Sequence, residues 1–190
     1  MKILLFFLLL IFTGAKPRLP DIINLTSMTY SYLALGDSYT IGESVLLIES
    51  FPYQTVQILR KTGFNFHSPE IIAKTGWTTD ELQSAIDKYK FLPSYDFVTL
   101  LIGVNNQYRG RTVENYRLEF ENLLQQAIRF TGGKKDHVIV ISIPDWGATP
   151  FAAGRDRKKI ADEIDDYNGA NKSIAEKYGV KYIDITPGTR

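Results

Sequence analysis

The run Phe97-Val98-Thr99-Leu100-Leu101-Ile102-Gly103 is apolar on both of its faces: Val98, Leu100 and Ile102 alternate with Phe97, Thr99 and Leu101. That is the pattern of a central strand sandwiched between helices. On the carboxyl side, Val138 to Ile143 repeats it with only Ser142 polar, and Pro144-Asp145 closes the run because proline cannot donate to a ladder. Tyr32 to Leu35 and Tyr182 to Ile185 read as further strands, and Glu70 to Ala73 as a weaker one. Between the strands the apolar period is helical. A helix near Pro52 turns Tyr53, Val56 and Leu59 inward, and one opened by the capping box Thr78-Thr79-Asp80-Glu81 buries Leu82, Ala85, Ile86 and Tyr89. A long helix from Val113 to Phe130 follows, then a charged one that buries Ile160, Ile164, Tyr167, Ile174 and Tyr178 and stops at Gly179. Strands alternating with helices predict one α/β domain with a mostly parallel sheet.

The chain has 190 residues, 44% apolar and 23% charged, enough for one domain with a sizeable core. Twenty-two basic against 21 acidic side chains leave a charge of +1 and no basic stripe, so nucleic acid is excluded as a partner. The absence of cysteine excludes disulfides, thiol catalysis and thiolate metal sites, and two histidines, His67 and His137, leave little imidazole for metals or acid–base work. At the start, Lys2 precedes ten apolar residues, Ile3 to Phe12, and the small residues Thr13-Gly14-Ala15. Residues 1–15 therefore read as a signal peptide, with a membrane-anchoring or buried segment as the alternative. No second segment approaches transmembrane length, so the processed domain, residues 21–190, is expected to be exported, periplasmic or secreted.

Open parallel sheets bind ligands at the carboxyl ends of their strands, which gives weight to the residues following each apolar run. These are Gly36-Asp37-Ser38-Tyr39, Thr75-Gly76-Trp77, Gly103-Val104-Asn105-Asn106 and Pro144-Asp145-Trp146-Gly147. A serine at a strand-to-helix turn presents its hydroxyl outward and leaves nearby N–H groups free to hold negative charge; Asn105 adds a side-chain N–H. Taken singly, Asp, Ser and Asn also make turns and caps without chemistry.

Taken together, the blocks resemble the GDSL, or SGNH, hydrolase family. Gly36-Asp37-Ser38-Tyr39 matches the first block, with Tyr39 where the family name implies leucine; Gly76 matches the second; Gly103-Val104-Asn105-Asn106 matches the third, with Asn106 in place of the commoner aspartate. The resemblance spans about Ser31 to Pro187. It implies a three-layer α/β/α, flavodoxin-like fold with a five-stranded sheet in the order 2-1-3-4-5. It also implies an acyl-enzyme on Ser38, with the Ser38 and Gly76 N–H groups and the Asn105 amide as oxyanion hole, and no metal or cofactor.

Family members carry a further Asp-x-x-His block and a final helix after the last strand, and residues 1–190 do not contain that block. The catalytic Asp and His are therefore expected to be absent, the chain to be C-terminally truncated and its terminal helix missing. His67 and His137 fall toward the amino ends of strands, away from Ser38, and Ile41 stands where a Ser-x-x-Lys motif would need lysine. Asp37 is expected to fix loop geometry rather than accept the catalytic proton, Asp145 to order the pocket, and Asp184, within the last strand, to anchor the final loop. Asp37, Trp77, Asn106, Tyr108, Asp145 and Trp146 are candidate pocket residues, and the aromatics Trp77, Tyr108, Trp146 and Phe151 are expected either to line an apolar pocket or to cover the sheet end. Arg109 and Arg111 would meet a negative substrate group or pair with acidic neighbours. The reading is a carboxylic ester hydrolase acting on a small or medium acyl ester and inactive for want of its histidine; the alternative is a noncatalytic binding protein for acylated carbohydrate.

Overall fold

The apolar runs become the strands of one parallel sheet. The computed structural model describes residues 28–190, so the expected signal peptide lies outside the described residues. In chain order the strands are β1 (Thr29–Tyr30), β2 (Tyr32–Gly36), β3 (Asn65–Phe66), β4 (Glu70–Ala73), β5 (Phe97–Leu101), β6 (Val138–Ile141) and β7 (Lys181–Ile183). The helices are α1 (Ser38–Ile41), α2 (Phe51–Lys61), α3 (Thr79–Ile86), α4 (Val104–Tyr108), α5 (Val113–Phe130) and α6 (Arg157–Tyr178). The main sheet runs β4-β2-β5-β6-β7, all parallel, which is the expected order 2-1-3-4-5. β1 and β3 add a short parallel ladder that the periodicity does not signal, because two residues are too few to show an alternation.

Side chains from the two sheet faces make two cores, which gives the three layers. Leu33, Leu35, Val98, Leu100, Val138 and Val140 pack against Leu82 of α3, Phe120 of α5 and Ile164 of α6. On the other face Tyr32 and Ala34 pack against Val56 and Leu59 of α2 and against Phe66. Beside α2 this second face opens into an apolar trough of about 600 Å³, walled by Phe51, Leu59, Phe66, Phe97, Ile139 and Ile183 among others.

Three details depart from the expectations. β5 and β6 stop one and two residues early, and β7 ends at Ile183, so Asp184 lies just past the strand rather than within it. There side-chain bonds replace ladder bonds: Ser142 Oγ donates to the Asp184 carboxylate (3.0 Å) and accepts from the Ile185 N–H (2.8 Å). Tyr89 is not inward. α3 ends at Ile86, so Tyr89 falls beyond its last turn, 46% exposed and packed on Phe91.

The register places the site. Gly36 of β2 is level with Ala73 of β4 on one side and Leu101 of β5 on the other. The three loops that leave these residues therefore start from adjacent strand ends, about 4.8 Å apart. Gly36 is required for that closeness, since a Cβ there would lie 2.0 Å from Thr40 Oγ1 and 2.4 Å from the Leu101 carbonyl oxygen.

Candidate active site

Asp37 turns β2 into the single turn α1, of which Ser38 is the first residue. Its carbonyl accepts from the Thr40 and Ile41 N–H groups (3.0 and 3.1 Å), and its Oδ1 accepts from the Tyr39 N–H (3.1 Å). The first-turn donors of a helix have no carbonyl behind them. Asp37 serves those of Tyr39 and Thr40 and closes the first regular helical bond with Ile41, and the Ser38 N–H is left without a partner among the described residues. The Ser38 side chain is half-buried, and its hydroxyl makes no hydrogen bond to a described residue.

In the loop after β4, the Trp77 N–H closes a tight turn on the Lys74 carbonyl (3.2 Å), with Gly76 at φ +84°, a conformation that glycine adopts without cost. The Gly76 N–H is unspent among the described residues, while its carbonyl accepts from Arg109 (2.7 Å). The loop after β5 enters α4 through Gly103 at φ +131°, where a Cβ would meet the Tyr116 hydroxyl at 2.6 Å. Asn105 Nδ2 then donates to the Trp77 carbonyl (2.9 Å), which leaves its second N–H available. Thr75 is hydrogen-bonded to the Glu43 carboxylate just past α1. The blocks of Ser38, Gly76 and Asn105 thus leave neighbouring strands and are laced to one another.

Asp37, Asn106, Asp145 and Trp146, candidate pocket residues in the sequence, are all buried. Asn106 Oδ1 accepts from the Thr79 N–H (3.1 Å) and its Nδ2 donates to the Thr79 hydroxyl (2.6 Å), so it fixes the start of α3. Trp146 Nε1 donates to Gln107 (2.8 Å), which joins the loop after β6 to α4. Asp145 accepts from the Gly147 N–H (2.8 Å) and from Arg190 Nε (2.8 Å). Tyr108 is exposed, and Trp77 is partly buried against the larger core. Arg109 and Arg111 pair with acidic neighbours, Arg109 with Glu81 and Arg111 with Asp80 and Glu119.

Burial dominates the electrostatics here. It pushes the Asp37 carboxyl up to about 7, against the opposing pull of the Tyr39 N–H, and Asp37 Oδ2 has no partner among the described residues. Tyr39 is pushed up to about 12, first by burial and then by the charges of Asp37 and Asp145.

The two histidines lie at the other end of the sheet. The His67 N–H donates to the Tyr30 carbonyl (2.9 Å) ahead of β2, and His137 stacks on Phe97 at the start of β5 with Nδ1 2.6 Å from the Asp96 carbonyl. A five-residue strand, about 16 Å long, separates them from Ser38. Arg190, Gln107 and Glu43 are the contributors that sequence reading missed; each is one polar residue whose partner is 32 or more positions away. Among the described residues no cluster of histidine and carboxylate side chains is arranged to hold a metal ion, and no helix is long and apolar enough to cross a membrane.

The profile of the GDSL-like Lipase/Acylhydrolase family matches residues 34–190. Among solved structures, the chain is similar to Axe2, an acetylxylan esterase from Geobacillus stearothermophilus (17% identity, TM-score 0.65, covering 84% of this chain and 78% of that one). It is also similar to a lipase/acylhydrolase from Enterococcus faecalis (18%, TM-score 0.64, 84% and 77%). A third is AlinE4, an SGNH-hydrolase family esterase (22%, TM-score 0.61, 82% and 76%). At these identities the likeness to solved structures is one of fold. No curated protein matches the sequence.

Proposed function

From the premise that the chain belongs to the GDSL-like Lipase/Acylhydrolase family, we propose that it is built to hydrolyse a carboxylic ester through an acyl-enzyme on Ser38. The observation that carries this reading is the set of unspent donors beside that residue: the Ser38 N–H, the Gly76 N–H and one N–H of Asn105, on loops from three adjacent strand ends. Negative charge grows on the ester carbonyl oxygen when the hydroxyl attacks. Donors already free and held in place stabilise that charge more than they stabilise the bound ester, each by about 3 kcal/mol. The bonds from Asn105 to Trp77 and from Arg109 to Gly76 hold the donors before substrate arrives.

A serine hydroxyl is a weak nucleophile without a base to take its proton. His67 and His137 sit a strand's length away, and Asp37 points its carboxyl into the Tyr39 turn and makes no bond to the Ser38 hydroxyl. Residues 1–190 by themselves are therefore proposed to acylate slowly or not at all, and an Asp-x-x-His block would supply the base. In the second reading the same surface binds an acylated carbohydrate without chemistry, and the distance of both histidines from Ser38 favours it for this chain taken by itself. The Lys2, Ile3 to Phe12, Thr13-Gly14-Ala15 pattern supports an extracytoplasmic location.

The test treats this chain, a version extended through an Asp-x-x-His block, and Ser38→Ala forms of both with a fluorescent alkylphosphonate and with 4-nitrophenyl acetate. The extended chain is expected to be labelled at Ser38 and to turn over at least 100-fold faster than its Ser38→Ala form. Equal turnover by the extended chain and its Ser38→Ala variant sinks the hydrolase reading. Turnover by the 190-residue chain equal to that of the extended one removes the need for the block.

A further inference from the structure

We infer that the exposed rings of Tyr108 and Phe151, together with the Arg155 guanidinium, form the subsite for the alcohol part of the ester, and that this part is a sugar ring. The inference rests on the ester-hydrolase reading and adds a substrate class to it. Tyr108 follows Asn105 by three residues on α4, so the two side chains share a helix face about 5–6 Å apart at Cβ. The next residue, Arg109, grips the Gly76 carbonyl. Phe151 and Arg155 approach from the loop after β6, which Trp146 joins to α4 through its bond to Gln107 (2.8 Å). The cluster therefore borders the block of Asn105.

Its chemistry suits a sugar. Tyr108 and Phe151 are 44% and 69% exposed, with ring centroids 6.2 Å apart and planes inclined at 36°, an open shelf rather than a slot. Trp146 buttresses both rings from below, at 5.3 and 5.8 Å. The C–H bonds of a pyranose point partial positive charge at whatever lies beneath the ring, and aromatic faces carry the complementary negative charge. Arg155 lies over the Tyr108 ring (5.5 Å) and donates to its hydroxyl (3.3 Å), and no carboxylate among the described residues pairs with it. Its remaining N–H groups suit sugar hydroxyls. An alkyl chain laid over the same place would strip water from that cation and give nothing back.

The experiment titrates the full chain carrying Ser38→Ala, which removes turnover, with methyl 6-O-acetyl-glucopyranoside and separately with hexyl acetate, followed by saturation-transfer NMR. Adding Tyr108→Ala or Phe151→Ala is expected to weaken sugar acetate binding about tenfold and hexyl acetate less than twofold. Phe151→Tyr should restore sugar binding, and Leu118→Ala, an equally exposed apolar truncation on α5, should change neither. Equal weakening for both ligands, no weakening, or no sugar acetate binding at all overturns the assignment. Failure of the parent reading is seen separately: there Ser38 of the extended chain resists the phosphonate, whatever the sugar titrations give.

Discussion

Asp37 stands at the turn from β2 into α1 with one oxygen on the Tyr39 N–H and the other buried without a partner among the described residues. Desolvation raises its carboxyl from 3.8 to about 7, against the pull of the backbone donors. The groups that face it are Tyr39 and Tyr116, both neutral near pH 7 because burial raises them. A folded-state pKa above the unfolded one means that the native protein holds the proton longer. Stability therefore falls as pH rises from about 4 to about 7 and stays lowered above that. The full effect is on the order of 4 kcal/mol. Asp37→Asn keeps an oxygen for the Tyr39 N–H and cannot ionise. In urea unfolding at pH 5, 6, 7 and 8 its advantage over the parent chain should grow with pH; parallel curves would show that the carboxyl is solvated after all.

At the scale of elements, the β5 loop is held by a phenol from α5. The Tyr116 hydroxyl is fully buried and bonded to the Ile102 carbonyl (2.8 Å) and to Asn171 of α6 (2.5 Å), so one side chain ties the entry to α4 to both long helices. A phenol has one proton, which goes to the carbonyl if the Asn171 amide is turned to present its NH₂, an orientation that also employs an otherwise unpartnered Nδ2. Tyr116→Phe strands both partners inside the core and should cost about 2 kcal/mol in urea unfolding. Since Ile102 adjoins the Gly103-Val104-Asn105 block, the same variant should increase amide hydrogen exchange across α4. Unchanged exchange there would mean that Gly103 and the Asn105–Trp77 bond hold the block without help from α5.

At the scale of the whole fold, the described residues cover the sheet unevenly: α3, α5 and α6 pack on one face, and α2 packs on only part of the other. The trough left beside α2 is lined by Phe51, Phe66, Phe97, Ile139 and Ile183, apolar area that a folded domain ordinarily keeps from water. The native protein should bind 1-anilinonaphthalene-8-sulfonate with a blue-shifted emission at neutral pH, without any loss of near-ultraviolet circular dichroism. Ile183→Lys, at a wall position already 39% exposed, should reduce that emission several-fold and leave the unfolding midpoint nearly unchanged. Dye emission that survives the substitution would place the bound dye elsewhere.

The sequence by itself determined the strands, the long helices and the parallel α/β class, because two-sided apolar runs, helical periods and Gly-Asp-Ser or Gly-Val-Asn-Asn breaks are local patterns set by local sterics and burial; the strand order, a long-range property, came only with the resemblance to the GDSL family. The limits of the sequence fall where local pattern stops. For Asn106 and Trp146 the sequence leaves pocket lining and a structural role open, since an amide or an indole at a loop shows its bonds only through the Thr79 and Gln107 that it meets. Tyr89 read as core because a helical period was carried past the point where α3 stops. Only the tertiary structure decided which donors stay unspent beside Ser38, that Arg190 reaches Asp145, and that burial rather than a counter-charge governs Asp37. Each of these depends on hydrogen-bond partners and desolvation contributed by segments far apart in the chain.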